Sequence, residues 1–193
     1  MIAFVRGHFA VKTPTHVIVD VNGVGYDLQI SLNTYSVISD KESGQLLTYQ
    51  HITENGQTLY GFADSAEKEM FLLLIGVSGI GAATGRMMLS GMKPDEISRA
   101  IIQNNTVQLA SIKGIGKKTA ERLVVELKDK LGKQSLESPL SAVFAVNVDA
   151  DAVNALIGLG IGRAIAENAV KKVIAVNTDI ALEDIIKQAL KNL

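Results

Sequence analysis

One tripeptide occurs twice, and the repetition constrains the fold of this chain more than any other feature. Gly79-Ile80-Gly81 returns 35 residues later as Gly114-Ile115-Gly116. The flanks return in step: Leu74 with Leu109, Val77 with Ile112, Gly85 with Ala120, Met88 with Leu123, and Leu89 with Val124. A fixed spacing on both sides of a short glycine turn marks one supersecondary unit used twice, and each copy reads as helix, tight hairpin, helix. Glycine in the turn permits positive φ and lets a ligand reach the backbone with no Cβ in the way. Because the turn sits where a helix begins, unpaired N–H groups and the positive end of the helix dipole favour an anion there. A DNA phosphate is such an anion, and contact with it carries no sequence information. The candidate contacts are Ser78, Gly79, Ile80 and Gly81 in the first copy, and Lys113, Gly114, Ile115 and Gly116 in the second. The small residues Gly85 and Ala120 then let the paired helices pack closely. The competing reading makes the glycines mere tight turns of a protein scaffold, which predicts no DNA binding at any salt.

Charge separates the two copies. The whole chain carries a formal net charge of -1, so any basic surface must be local. Between Lys113 and Lys133 seven positive side chains face three negative ones. Lys117 and Lys118 fall in the first turn of a helix, where cations oppose its dipole, and that placement points to an anionic partner. Arg122 lies one turn after Lys118 and can reach the same backbone. Arg86 is the nearest cation to the first hairpin, whereas Lys128 and Lys130 read as a solvated helix face.

Other chemistries find no support. Gly116-Lys117 lacks the upstream glycine and the following Ser or Thr of a phosphate-binding P-loop, and a dinucleotide fingerprint begun at Gly79 meets Thr84 where its third glycine belongs. Cysteine is absent, and His8, His16 and His51 are scattered, so no thiol catalysis, disulfide or clustered metal site is expected. No catalytic residue or cofactor is assigned.

Around the repeat the periodicity changes twice. From Met1 to about Phe62 it is two: Val17, Val19 and Val21 alternate with polar or outward residues, Asn22-Gly23 turns, and Tyr26, Leu28 and Ile30 return. A second hairpin runs from Leu46 to Thr53, turns at Asn55-Gly56 and returns through Phe62. Short strands without intervening helices imply a small barrel. Asp64 with Glu67 forms a capping-box-like helix start. Gly132 to Val148, with Pro139 and serines from Ser135 to Ser141, reads as a linker, although Val143, Phe144 and Val146 are apolar enough to pack. A last unit combines a helix through Ala155, Leu156 and Leu159, a glycine-rich turn from Gly158 to Gly162, a helix from Arg163 to Val173, and a third helix capped near Asn177 or Thr178. Its apolar residues serve equally as core or as a docking face. The expected organisation is a multidomain α+β protein: barrel over residues 1–63, paired hairpin units over 64–131, flexible linker over 132–148, three-helix unit over 149–193. No export signal precedes the barrel, and the longest apolar run, Met70 to Ile75, is far below the roughly 20 residues that span a bilayer, so a soluble cytoplasmic protein is expected.

Two Gly-Ile-Gly hairpins between a barrel and a three-helix unit resemble one family over essentially the whole chain, the RuvA family of Holliday junction-binding subunits. The closest segments are Asn22-Gly23-Val24-Gly25-Tyr26, Leu59-Tyr60-Gly61-Phe62, and the run from Gly114 through Lys117, Lys118 and Arg122 to Leu123. The resemblance implies an oligonucleotide-binding (OB) type barrel, a tandem helix-hairpin-helix domain, and a UBA-like C-terminal domain that contacts the ATP-driven RuvB hexamer. It implies a non-catalytic subunit in recombination and DNA repair, assembled as a homotetramer that admits an octamer, with RuvC resolvase as a further partner. RuvB contacts are expected at Leu156, Leu159 and Ile161. The family's acidic pin, two adjacent carboxylates at a hairpin tip, matches Glu54-Asn55, so an amide replaces one carboxylate. Where the family can carry a lysine after the first hairpin, Ala82-Ala83 stand here, so the second hairpin is expected to dominate affinity. A helix-hairpin-helix DNA glycosylase or nuclease would share the phosphate grip, but no lysine or carboxylate is placed by sequence for a base pocket.

Overall fold

Alternating apolar residues close five strands into a barrel: β1 (Phe4–Lys12), β2 (His16–Val21), β3 (Val24–Ile30), β4 (Ser43–Thr53) and β5 (Gly56–Phe62), in the order β1-β2-β3-β5-β4. The computed structural model describes residues 1–54, 56–136, 148–176 and 181–192. These fall into two units, Met1–Ser138 and Pro139–Leu193. Residues two apart share a face of a strand, and Val17, Val19, Leu28 and Ile30 accordingly point inward with Val5, Phe9 and Leu46, none more than 5% exposed. Asn22 and Gly23 adopt φ of 52° and 88°, the paired positive values of a tight hairpin turn, and the Asp20 carboxylate accepts the Gly23 N–H at 2.7 Å.

The barrel differs from the sequence expectation in two places. A helix, α1 (Leu32–Ile38), does intervene between β3 and β4, with Ser31 as N-cap accepting the Thr34 N–H. Its Ile38 completes the barrel core. The second hairpin pairs Thr53 with Gly56, so positions 54 and 55 connect the strands instead of Asn55-Gly56. The Thr53 hydroxyl donates to the Gly56 carbonyl and extends the ladder by that pair. Asn55 itself lies outside the described residues.

Five helices follow: α2 (Ser65–Ile75), α3 (Ala82–Gly91), α4 (Pro94–Ile102), α5 (Thr106–Ala110) and α6 (Lys117–Leu136). The repeat register survives as burial, since Leu74 and Leu109, and Met88 and Leu123, are all fully enclosed. A Cβ on Gly85 would come within 3.2 Å of Ile75 Cγ2 and 3.4 Å of the Phe71 ring, so α2 and α3 meet through the missing side chain. Phe71 also packs on the barrel, with ring centroids 4.9 Å from Phe62 and 5.2 Å from Tyr60. Barrel and helices thus share apolar core.

Asp64 caps α2 as expected, accepting the Glu67 N–H at 2.8 Å. Glu67 does not return the bond. Its carboxylate is buried, 2% exposed, and accepts from the Ser31 hydroxyl and, at 2.5 Å, from the Thr34 hydroxyl of α1. Burial pushes the Glu67 carboxyl up from its ordinary pKa, opposed by these two hydroxyls. Helix α6 also runs through Gly132, where the linker was expected to begin, because one glycine inside a helix costs only about 1 kcal/mol against alanine. Val143, Phe144 and Val146 lie outside the described residues.

The second unit holds α7 (Val148–Gly158), α8 (Arg163–Val176) and α9 (Leu182–Lys191) around Ala152, Leu156, Ala166, Ala169, Val170, Val173, Ile185 and Ala189. The cap of α9 is Ala181, beyond the expected Asn177 or Thr178, which are outside the described residues. Among the described residues no helix is long and apolar enough to cross a membrane.

Candidate nucleic-acid interface

Each Gly-Ile-Gly hairpin forms because its isoleucine is pulled inward while its first glycine takes a conformation other residues avoid. Gly79 and Gly114 adopt φ of 93° and 92°. Ile80 and Ile115 are 4% and 5% exposed, and their N–H groups close the turn on Val77 O and Ile112 O, each at 3.0 Å. The isoleucines therefore shape the turn from within. The neighbouring amides stay open: no acceptor among the described residues takes the N–H of Gly79, Gly81, Ala82 or Ala83, nor that of Gly114, Gly116, Lys117 or Lys118. Four such donors at the start of a helix form a cradle for an oxyanion. The sequence pointed to the glycines; the amides of Ala82 and Ala83 emerged only when the start of α3 was located.

The cations around the cradles divide into two kinds. Lys113, Lys117 and Lys118 are exposed, and no ion pair or hydrogen bond among the described residues engages them. The arginines are engaged. Arg86 Nη1 donates to Thr15 O at 2.8 Å and to Ile30 O at 3.3 Å, both on the barrel. Arg122 Nη1 donates to Ser78 O at 3.1 Å, and its Nε lies 3.8 Å from the Glu126 carboxylate. Sequence reasoning placed Arg86 and Arg122 beside phosphate and had no signal for these carbonyl partners. Lys128, taken as a solvated charge, donates to Asn104 Oδ1 at 3.0 Å. Burial pushes the Tyr60 phenol up, and the Arg86 guanidinium offsets part of that shift.

Glu54 is exposed on the connection between β4 and β5, beside position 55. In the second unit Leu156 is fully buried, one turn from Ala152 in the three-helix core, and has no surface to offer a partner; that expectation is corrected. Ile161 packs partly against the same core, whereas Leu159 and Ile165 are 63% and 59% exposed. Among the described residues no cluster of three or more His, Asp or Glu side chains is placed to hold a metal.

A closed five-stranded barrel carrying two helix-hairpin-helix units with open amide cradles, the second flanked by lysines, defines a barrel-linked tandem helix-hairpin-helix protein. Comparison with known sequences narrows this class. The chain matches the RuvA N terminal domain over residues 1–61, the SAM-like helix-hairpin-helix tandem over 71–129, and the RuvA C-terminal domain over 147–193. The protein named Holliday junction branch migration complex subunit RuvA is 44% identical in Cytophaga hutchinsonii, covering 99% of both chains, and 45% identical in Flavobacterium psychrophilum over the full length of both. Its namesake in Geobacter sulfurreducens is 44% identical, covering 99% of this chain and 98% of its own. The chain belongs to the RuvA family.

Proposed function

We propose that this protein binds four-way (Holliday) junction DNA as the non-catalytic subunit of a branch migration complex and presents the junction to an ATP-driven RuvB motor. The observation that carries the proposal is the pair of hairpins with matching backbone geometry, each offering open helix-start amides, the second flanked by Lys113, Lys117 and Lys118. Such donors bind phosphate without reading bases, which suits a protein that recognises branched shape. Relatives at about 44% identity over nearly all of the chain carry the matching name, and four-fold repetition of a weakly basic patch would meet four DNA arms, favouring a homotetramer.

Roles follow for the remaining features. Glu54, on the connection between β4 and β5, acts together with its sequence neighbour Asn55 as the pin that faces strands at the crossover. Leu159 and Ile165 form the apolar part of the RuvB-docking face, with RuvC a further partner at the junction. ATP turnover belongs to the motor, and the complex works in the cytoplasm. A gel-shift comparison of a four-way junction with linear duplex of the same sequence tests the proposal: the junction should bind at least about tenfold more tightly, with affinity falling steeply with salt. Equal affinity for both DNAs would overturn junction recognition, and strand cleavage would favour a helix-hairpin-helix glycosylase or nuclease. A chain ending near Ser141 should still bind junctions but fail to support migration with RuvB.

A further inference from the structure

We infer that Arg86 and Arg122 are positioning residues, a relay of two struts that fixes the first hairpin to the barrel and the second hairpin to the first. The inference rests on the phosphate-gripping role of the hairpins and concerns what holds them at one spacing before DNA arrives.

The first strut belongs to a longer seam. Helix α3 begins at the first cradle and runs beside the barrel segment that ends β3 and starts α1. Along this seam Arg86 donates to the carbonyls of Thr15 and Ile30, the Ser90 hydroxyl accepts the Leu32 N–H at 3.1 Å, and the Asn33 amide donates to Leu89 O at 2.6 Å and Met92 O at 3.1 Å. The Thr15 carbonyl also takes the Ile30 N–H at 3.0 Å, so Arg86 joins a point where the β2–β3 hairpin is already tied. Five hydrogen bonds on one side of a single helix fix its axis, and with it the direction of the open amides at its start.

The second strut starts on α6, the helix whose first turn bears Lys117 and Lys118. Arg122 reaches from there to the carbonyl of Ser78, the residue just before Gly79 of the first hairpin. The contact joins the two copies of the repeat at the edge of both cradles. Its donor is a guanidinium, which presents several N–H groups in a fixed fork. A junction arm that must satisfy both cradles meets two donor sets already at a fixed separation, and the ordering cost of binding falls accordingly.

A phosphate-ligand role predicts differently. Removing a cation that neutralises phosphate flattens the slope of log affinity against log salt by about 0.9; removing a strut lowers affinity and leaves that slope unchanged. The experiment uses the full chain. Hydrogen exchange without DNA is followed at the Ile80 and Gly85 amides, which are bonded within the first hairpin and at the start of α3. Junction affinity is then measured across salt. Arg122→Met should speed exchange at both amides about fivefold to tenfold, although the substitution lies in the other copy of the repeat, and weaken junction binding about tenfold with the slope retained. Asn33→Ala removes two seam bonds from the barrel side without changing charge. It should likewise weaken binding at unchanged slope, and it stands in for Arg86→Met if that variant does not fold. Unchanged exchange with a slope flattened by about 0.9 would make Arg122 a phosphate ligand and overturn the strut. Unaltered junction affinity in Asn33→Ala would equally remove the seam from the binding machinery. Should the wild-type protein show no preference for junctions, the phosphate reading falls, while exchange in the free protein still tests the struts.

Discussion

The two hairpins of the central repeat share a backbone and differ in nearly everything attached to it. Both place a glycine near φ of 90°, bury an isoleucine and leave helix-start amides open. The first is followed by Ala82-Ala83 and is clamped to the barrel through Arg86 and, at the base of α2, through buried Glu67. The second is followed by Lys117-Lys118 and touches the rest of the molecule chiefly through helices and Arg122. Duplication preserved the amide cradle, which depends on backbone alone, and let charge and anchoring diverge. In the proposed function the first hairpin supplies position and the second supplies affinity.

The largest expected effect breaks the comparison on the charge side. Replacing Lys117 and Lys118 together with alanine should weaken junction binding about a hundredfold at low salt and flatten the salt slope by about 1.8, since each removes one charge-assisted contact. The fold should be untouched, because both side chains are exposed. A double variant that binds like wild type would leave the second hairpin no special role.

Next in size is the anchoring side. Glu67→Ala leaves the Ser31 and Thr34 hydroxyls without their acceptor and opens a cavity between α1 and α2, so chemical denaturation should show a loss of about 2 kcal/mol. The pH dependence has a definite sign. Burial raises the folded pKa of Glu67, so its contribution to stability is fully present below the unfolded value near 4.3 and declines as pH rises through the folded value. Glu67→Gln, which cannot ionise, should remove that decline. Wild-type stability that instead rises across this window relative to Glu67→Gln would reverse the assignment.

A smaller effect tests backbone equivalence. Gly79→Ala and Gly114→Ala each force a left-handed conformation on a residue with a Cβ, although that Cβ would meet no atom within 4 Å. Each should cost about 1–2 kcal/mol of stability, and the two costs should agree. Thermal denaturation of both variants side by side checks this. Unequal costs would mean that the cradles are not the same structure.

What the sequence revealed follows the same division. Periodicity exposed the barrel, the repeat and the three-helix unit, because burial enforces spacings of two and of three to four. Asn22-Gly23 and Asp64 were legible because a turn and a cap need particular residue types. Helix α1 escaped, since its seven residues follow a strand without a break and its one signal was Ser31 three places before Thr34. Leu156 was misplaced because helical spacing shows that a residue is apolar without showing which side carries the core. The carbonyl partners of Arg86 and Arg122 and the hydroxyl partners of Glu67 lie 33 or more positions away, and no local pattern encodes them.

The smallest expected effect converts the first hairpin toward the second. Ala83 stands where the 35-residue repeat puts Lys118, and like Lys118 it is exposed and offers an open N–H at the start of its helix. Ala82 is the poorer choice, being buried at 5% exposure. Ala83→Lys therefore adds a cation beside a cradle whose amides are already in place. If that cradle lies against phosphate, the salt slope should steepen by about 0.9 and low-salt affinity should rise by less than about tenfold. A modest loss of stability, on the order of 0.3–1 kcal/mol, should accompany the gain, because a cation in the first turn opposes the helix dipole. Ala83→Gln, a polar side chain without the charge, should change neither slope nor affinity. If Ala83→Lys leaves the slope where it was, the first cradle faces no phosphate in the complex, and the positional role assigned to it must pass to the barrel alone.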